Sequence, residues 1–67
     1  MGLLKGDKVE IRSKTLGIYS LEHTPFKKGE ITYVHSIGNL GEILLVKNGR
    51  LFEFNEIDLR KVKDEKV

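Results

Sequence analysis

The chain opens on a stretch in which polar and apolar side chains alternate, Asp7-Lys8-Val9-Glu10-Ile11-Arg12. A period of two places Val9 and Ile11 on one buried face of a strand and Lys8, Glu10 and Arg12 on the other. The pattern lapses from Ser13 to Lys28, where Gly17, His23-Thr24-Pro25 and Lys27-Lys28-Gly29 mark a long irregular connection. A connection of about 15 residues with no periodicity of its own is unusual in a compact domain and points to a binding role. A second strand is expected over Glu30-Ile31-Thr32-Tyr33-Val34-His35-Ser36-Ile37, which is rich in β-branched and aromatic types. Its facing stays open. Ile31, Tyr33, His35 and Ile37 share one parity and Thr32, Val34 and Ser36 the other, so a bulge or burial on both sides is expected.

Gly38-Asn39-Leu40-Gly41 reads as a turn, and Glu42 to Lys47 as a third strand, apolar on both faces in its middle and therefore central. Asn48-Gly49 is the strongest local signal, because a type I′ turn needs positive φ at both of its central positions. It closes a hairpin onto Arg50-Leu51-Phe52-Glu53-Phe54, whose phenylalanines share the face expected to look into the core. Asn55-Glu56-Ile57-Asp58 suits a single 3₁₀ turn, and Leu59 to Val62 a short closing strand. A helix from Glu56 would put Leu59 and Val62 on one face, but the segment is short and has no glycine stop. Five short strands separated by turn residues predict an all-β fold.

Composition narrows this picture. A chain of 67 residues has room for one domain and hides only about 60% of its unfolded surface. The domain is expected over residues 1–63. Residues 64–67 are expected to be a frayed, solvated tail, because the stretch from Arg60 onward holds four basic and two acidic residues and little apolar content. With no cysteine, disulfides and thiolate metal sites are excluded, and stability must come from an apolar core or from self-association. The same absence suits a reducing compartment, and the N-terminal stretch lacks a secretory pattern, so a cytoplasmic location is expected. The longest apolar run, Ile43-Leu44-Leu45-Val46, falls far short of the roughly 20 residues of a membrane-spanning helix, and no membrane partner is expected. Twelve Lys and Arg against ten Asp and Glu give a net charge of +2, which attracts anions weakly and is no dedicated nucleic-acid pattern.

The order strand, long loop, three-stranded meander, helical turn and closing strand resembles a Src-homology-3-like barrel. Lys5-Gly6-Asp7-Lys8-Val9-Glu10-Ile11, followed by Phe26-Lys27-Lys28-Gly29-Glu30-Ile31, looks like the opening of KOW-type and related small bacterial and phage barrels. Phe54-Asn55-Glu56-Ile57-Asp58-Leu59-Arg60-Lys61-Val62 is similar to their turn-plus-strand closure. The resemblance spans about residues 5 to 63 and implies a five-stranded barrel with a long first loop and one 3₁₀ turn before the last strand. It implies an architecture and no ligand. The chain has no tryptophan and only two tyrosines, Tyr19 and Tyr33, so the polyproline docking of eukaryotic Src-homology-3 domains is not expected. The first loop is longer than in KOW motifs and carries Glu22 and His23, which leaves RNA binding of the ribosomal type as a suggestion only.

Catalytic chemistry finds little support in the residues. His23 and His35 are the only histidines, and neither has a neighbouring ligand or carboxylate pattern. Ser13, Ser20 and Ser36 lie outside any nucleophile motif. Neither an enzyme, a cofactor nor a small-molecule substrate is expected. Two kinds of binding remain. In the long loop, Leu16, Ile18, Tyr19, Leu21 and Phe26 either fold over one end of the core or present apolar anchors to a protein partner, a second copy included. Alternatively, Lys5, Lys8, Arg12, Lys14, Lys27 and Lys28 form a cationic surface. With Tyr33, Tyr19 and Phe26 as stacking groups, it would suit RNA or single-stranded DNA. Against that stands a plain solvated face, since Glu10, Glu22 and Glu30 interrupt the charge. The expected function is that of a small protein-binding adaptor or modulator, in the style of phage or mobile-element accessory proteins, with nucleic-acid binding as the alternative.

Overall fold

The structure, a computed structural model, describes residues 2–63. It is all-β, with six strands in two antiparallel sheets of three: β1 (Lys8–Ile11), β2 (Ile31–Tyr33), β3 (Ser36–Ile37), β4 (Ile43–Lys47), β5 (Arg50–Phe54) and β6 (Leu59–Lys61). The first sheet has the order β2–β1–β6 and the second β3–β4–β5. Two 3₁₀ turns, Leu21–His23 and Glu56–Asp58, complete the regular structure. The frayed tail expected at residues 64–67 lies outside the described residues. No helix among the described residues is long and apolar enough to cross a membrane.

Between the sheets lie Val9, Ile11, Val34, Ile43, Leu45, Phe52, Phe54 and Leu59, with Phe26 from the long connection. The period-two reading of β1 holds: Val9 and Ile11 are fully buried, and Arg12 is exposed. In β4 and β5, Leu45 opposes Phe52 and Ile43 opposes Phe54, so cross-strand pairs on one face build most of the second sheet's contribution. Asn48 (φ 55°) and Gly49 (φ 76°) occupy the left-handed region and join Lys47 to its partner Arg50, as the Asn-Gly signal predicts.

The fold departs from expectation in strand number and closure. The single strand expected over Glu30 to Ile37 is divided, and the two sheets do not close into a barrel. The division falls between Val34 and His35. The Val34 N–H donates to the Asp7 carbonyl (2.8 Å) in the first sheet, and the next N–H, of His35, donates to the Leu44 carbonyl (2.9 Å) in the second. Consecutive residues thus serve different sheets. Facing is nonetheless unbroken across the division, against the expected bulge or burial on both sides: Thr32, Val34 and Ser36 turn inward, and Ile31, Tyr33, His35 and Ile37 are all exposed.

A candidate docking cleft

The long connection is fixed at its start by Asp58, the buried last residue of the second 3₁₀ turn. Its carbonyl accepts from the Arg12 N–H (2.9 Å) and the Ser13 N–H (3.3 Å). Its side chain accepts from Ser13 Oγ (2.7 Å), from the Thr15 N–H (2.8 Å) and Thr15 Oγ1 (2.9 Å), and from the Asn55 N–H (3.1 Å). Burial alone would raise the Asp58 carboxyl. The donors from Ser13, Thr15 and Asn55 outweigh burial and hold it below its ordinary range.

Lys14 turns inward beside this clamp. Its amine donates to the Leu16 carbonyl and lies 5.2 Å from the centre of the Phe54 ring. Burial lowers its pKa, against the opposing pull of Glu53 and Asp58. At the far end, Phe26 is only 3% exposed and meets Phe52 and Phe54 edge-on, each at 5.6 Å between ring centres. Lys47 Nζ caps that end, donating to the Pro25 carbonyl (3.1 Å) and to Glu30 Oε2 (2.5 Å), and lies 5.3 Å from the centre of the Phe26 ring. Burial pushes the Glu30 carboxyl up, but the Lys47 amine and the Lys27 N–H bring it below its usual value.

What remains free is the middle of the connection. Leu21 packs partly against the core, Leu16 is half-buried, Tyr19 is exposed, and Ile18 is 89% exposed. Leu16 forms one wall of an open cleft of about 540 Å³. Leu40 also lines it, and the rest of the lining includes Glu42, Glu53, Asn55 and Glu56. Leu40 is 94% exposed because its turn is satisfied without it. Gly38 N–H bonds the Glu42 carbonyl (2.8 Å), Gly41 N–H bonds the Gly38 carbonyl (3.1 Å), and the Glu42 carboxylate accepts the Leu40 N–H (3.0 Å). Gly41 (φ 85°) supplies the left-handed step that closes this turn. Next to Glu56, Ile57 is 78% exposed at the tip of a 3₁₀ turn fixed by reciprocal caps, in which the Asn55 side chain accepts the Ile57 N–H (3.4 Å) and Asp58 accepts the Asn55 N–H.

The cationic candidates do not form one surface. Lys5 and Lys8 lie with Tyr33 at one end of the first sheet, where Lys8 pairs with Tyr33 across the strands. Arg12 and Lys28 lie at the other end, where the Gly29 N–H bonds the Ile11 carbonyl (2.7 Å), and Lys27 adjoins them. The Glu10–Arg60 ion pair (2.6 Å) sits between the two groups. Lys14 is drawn into the loop. Of the stacking candidates, Phe26 is in the core, Tyr19 lies beside β5, and Tyr33 is 56% exposed. His23 Nδ1 shares a hydrogen bond with Ser20 Oγ (2.8 Å) across the first 3₁₀ turn, and among the described residues no group of three His, Asp or Glu side chains could hold a metal.

Sequence reasoning singled out Leu16 and Ile18 but missed Leu40, Ile57 and the carboxylates Glu42, Glu53 and Glu56. A leucine flanked by turn glycines, and an isoleucine inside an Asn-x-x-Asp cap, were the signals available. Compared with known protein families, curated proteins and solved structures, the chain matches none.

Proposed function

We propose that this protein is a non-enzymatic binding module that docks a protein partner in the cleft bounded by the long connection, the Gly38–Gly41 turn and the second 3₁₀ turn. One observation carries this reading: among the described residues, the three most exposed large apolar side chains, Leu40, Ile18 and Ile57, come one from each of these three segments. Each is held outward by a locally satisfied backbone or by a clamped loop; Leu40 lines the cleft, Ile57 follows its lining residue Glu56, Ile18 lines a neighbouring cleft that shares Glu53, and exposed apolar side chains of this kind mark an interaction site. The strand order supports the finer fold reading of a Src-homology-3-like arrangement. β1 lies between β2 and β6, the divided second strand serves both sheets, and the Asn48-Gly49 hairpin follows.

Capture of binding proteins on the immobilised chain, with nuclease added, tests this reading. A protein retained by the wild type and lost from both Leu40→Ser and Ile57→Ser supports it. A bound protein indifferent to both substitutions overturns it. The alternative, nucleic-acid binding, rests on Tyr33 exposed beside Lys8. It predicts binding that survives Leu40→Ser, is lost in Tyr33→Ala, and weakens steeply between about 50 and 200 mM salt. Sizing of the purified protein distinguishes a second copy from a foreign partner.

A further inference from the structure

The cleft's charge narrows the chemistry of its occupant. The chain is net positive, yet three carboxylates, Glu42, Glu53 and Glu56, line the cleft, and no Lys or Arg does. Among the other described carboxylates, all but the exposed Glu22 are matched. Asp7 faces Lys61 (3.6 Å), Glu10 pairs with Arg60, Glu30 pairs with Lys47, and Asp58 is saturated by hydrogen-bond donors. Among the described residues, none of the three cleft carboxylates has a cation within ion-pairing distance. Glu42 accepts only the Leu40 N–H, and Glu53 feels the Lys14 ammonium, whose hydrogen bond goes instead to the Leu16 carbonyl. Leu16 and Leu40 line the cleft among these carboxylates, Ile57 follows Glu56 in the chain, and Ile18 lines a neighbouring cleft that shares Glu53.

Building on the docking reading, we infer that the cleft takes a cationic, amphipathic segment of a partner protein, one that places a bulky aliphatic side chain against Leu16 and Leu40 and Lys or Arg against Glu53 and Glu56. The aliphatic group provides burial, and the cations meet carboxylates that make no ion pair among the described residues. A nucleic-acid strand is repelled here, because its phosphates would face three carboxylates.

The test is an NMR titration of the isotope-labelled full chain with three synthetic decapeptides. One is composed of Leu, Ser and Lys, the second has Glu in place of Lys, and the third has Ser in place of Leu. The first peptide is expected to shift amides of residues 16–18, 38–42 and 53–57. Its affinity should fall about tenfold in Glu53→Gln/Glu56→Gln, the size expected from losing two exposed ion pairs. Both glutamates are exposed, so the variant should keep the wild-type spectrum away from the cleft. If the Glu peptide binds the same amides as tightly, the charge inference falls while the docking cleft stands. If the Ser-for-Leu peptide binds equally well, the amphipathic requirement falls. If none of the three moves these amides, the inference is overturned, and the Leu40 and Ile57 capture variants decide the cleft separately. An oligothymidine control that shifted the cleft amides would overturn it as well.

Discussion

At its two ends the connection between β1 and β2 is gripped by side chains from distant parts of the chain, whereas its middle carries apolar side chains into solvent. The first grip is polar: the Asp58 carboxylate saturates Ser13 and Thr15. The second is aromatic: Phe26 is wedged against Phe52 and Phe54 and roofed by Lys47. Between them, Ile18 projects freely. The difference teaches that a segment without periodicity can still be ordered, provided a few of its residues make contacts remote in sequence. The residues not used in that ordering are then those a partner can reach.

Substitutions separate the gripping residues from the presenting ones. Phe26→Ala should be the most damaging, costing about 3–5 kcal/mol through the cavity left beside two rings. Urea unfolding would show it as a lowered midpoint. A loss below about 1 kcal/mol would mean that the aromatic grip is not part of the core.

Asp58→Ala should cost about 2–3 kcal/mol, since it strips a buried anion from several donors. The acid response gives a finer version of this test. Asp58 and Glu30 both titrate below their ordinary values in the folded chain, so the stability they add is fully present above the unfolded carboxylate pKa, about 4. It drains away as pH falls through the lower folded values. In Asp58→Asn the acid limb of stability against pH should be flatter than in the wild type, measured by urea melts between about pH 7 and pH 3. An unchanged limb would remove Asp58 from the account.

Lys47→Ala should cost only about 0.5–1 kcal/mol, because the Lys47–Glu30 pair is partly exposed to solvent. Smallest of all, Ile18→Ser and Leu40→Ser should leave stability within about 0.5 kcal/mol of wild type. A larger loss in thermal melts would place these side chains with the gripping residues, and the contrast would collapse.

How much of this was legible in the sequence depends on distance along the chain. Val9 and Ile11 were readable because alternation is local, and Asn48-Gly49 because turn geometry depends on two adjacent residues. The division of the second strand was not, since the crossing at Val34–His35 depends on Asp7 and Leu44, neither of them near it in the chain. In the long loop, nothing local separates Phe26 from Ile18. Both are apolar, and what buries one is a pair of rings some 26 to 28 positions away, Phe52 and Phe54. The cleft was half visible: Leu16 and Ile18 drew attention as loop hydrophobics, but Leu40, Glu42, Glu53 and Glu56 join them only through the fold.

The pairing of β1 with β6 sets Glu10 opposite Arg60, so the first strand waits for the last. The Asn48-Gly49 hairpin joins strands adjacent in the chain, while the first sheet must draw together positions about 20 to 25 residues apart for β1 with β2 and about 50 apart for β1 with β6, at a greater cost in chain freedom. Asp58, immediately before β6, is committed only when that closure occurs. The start of the long connection, where Ser13 and Thr15 bond to Asp58, therefore takes its order from the same closure.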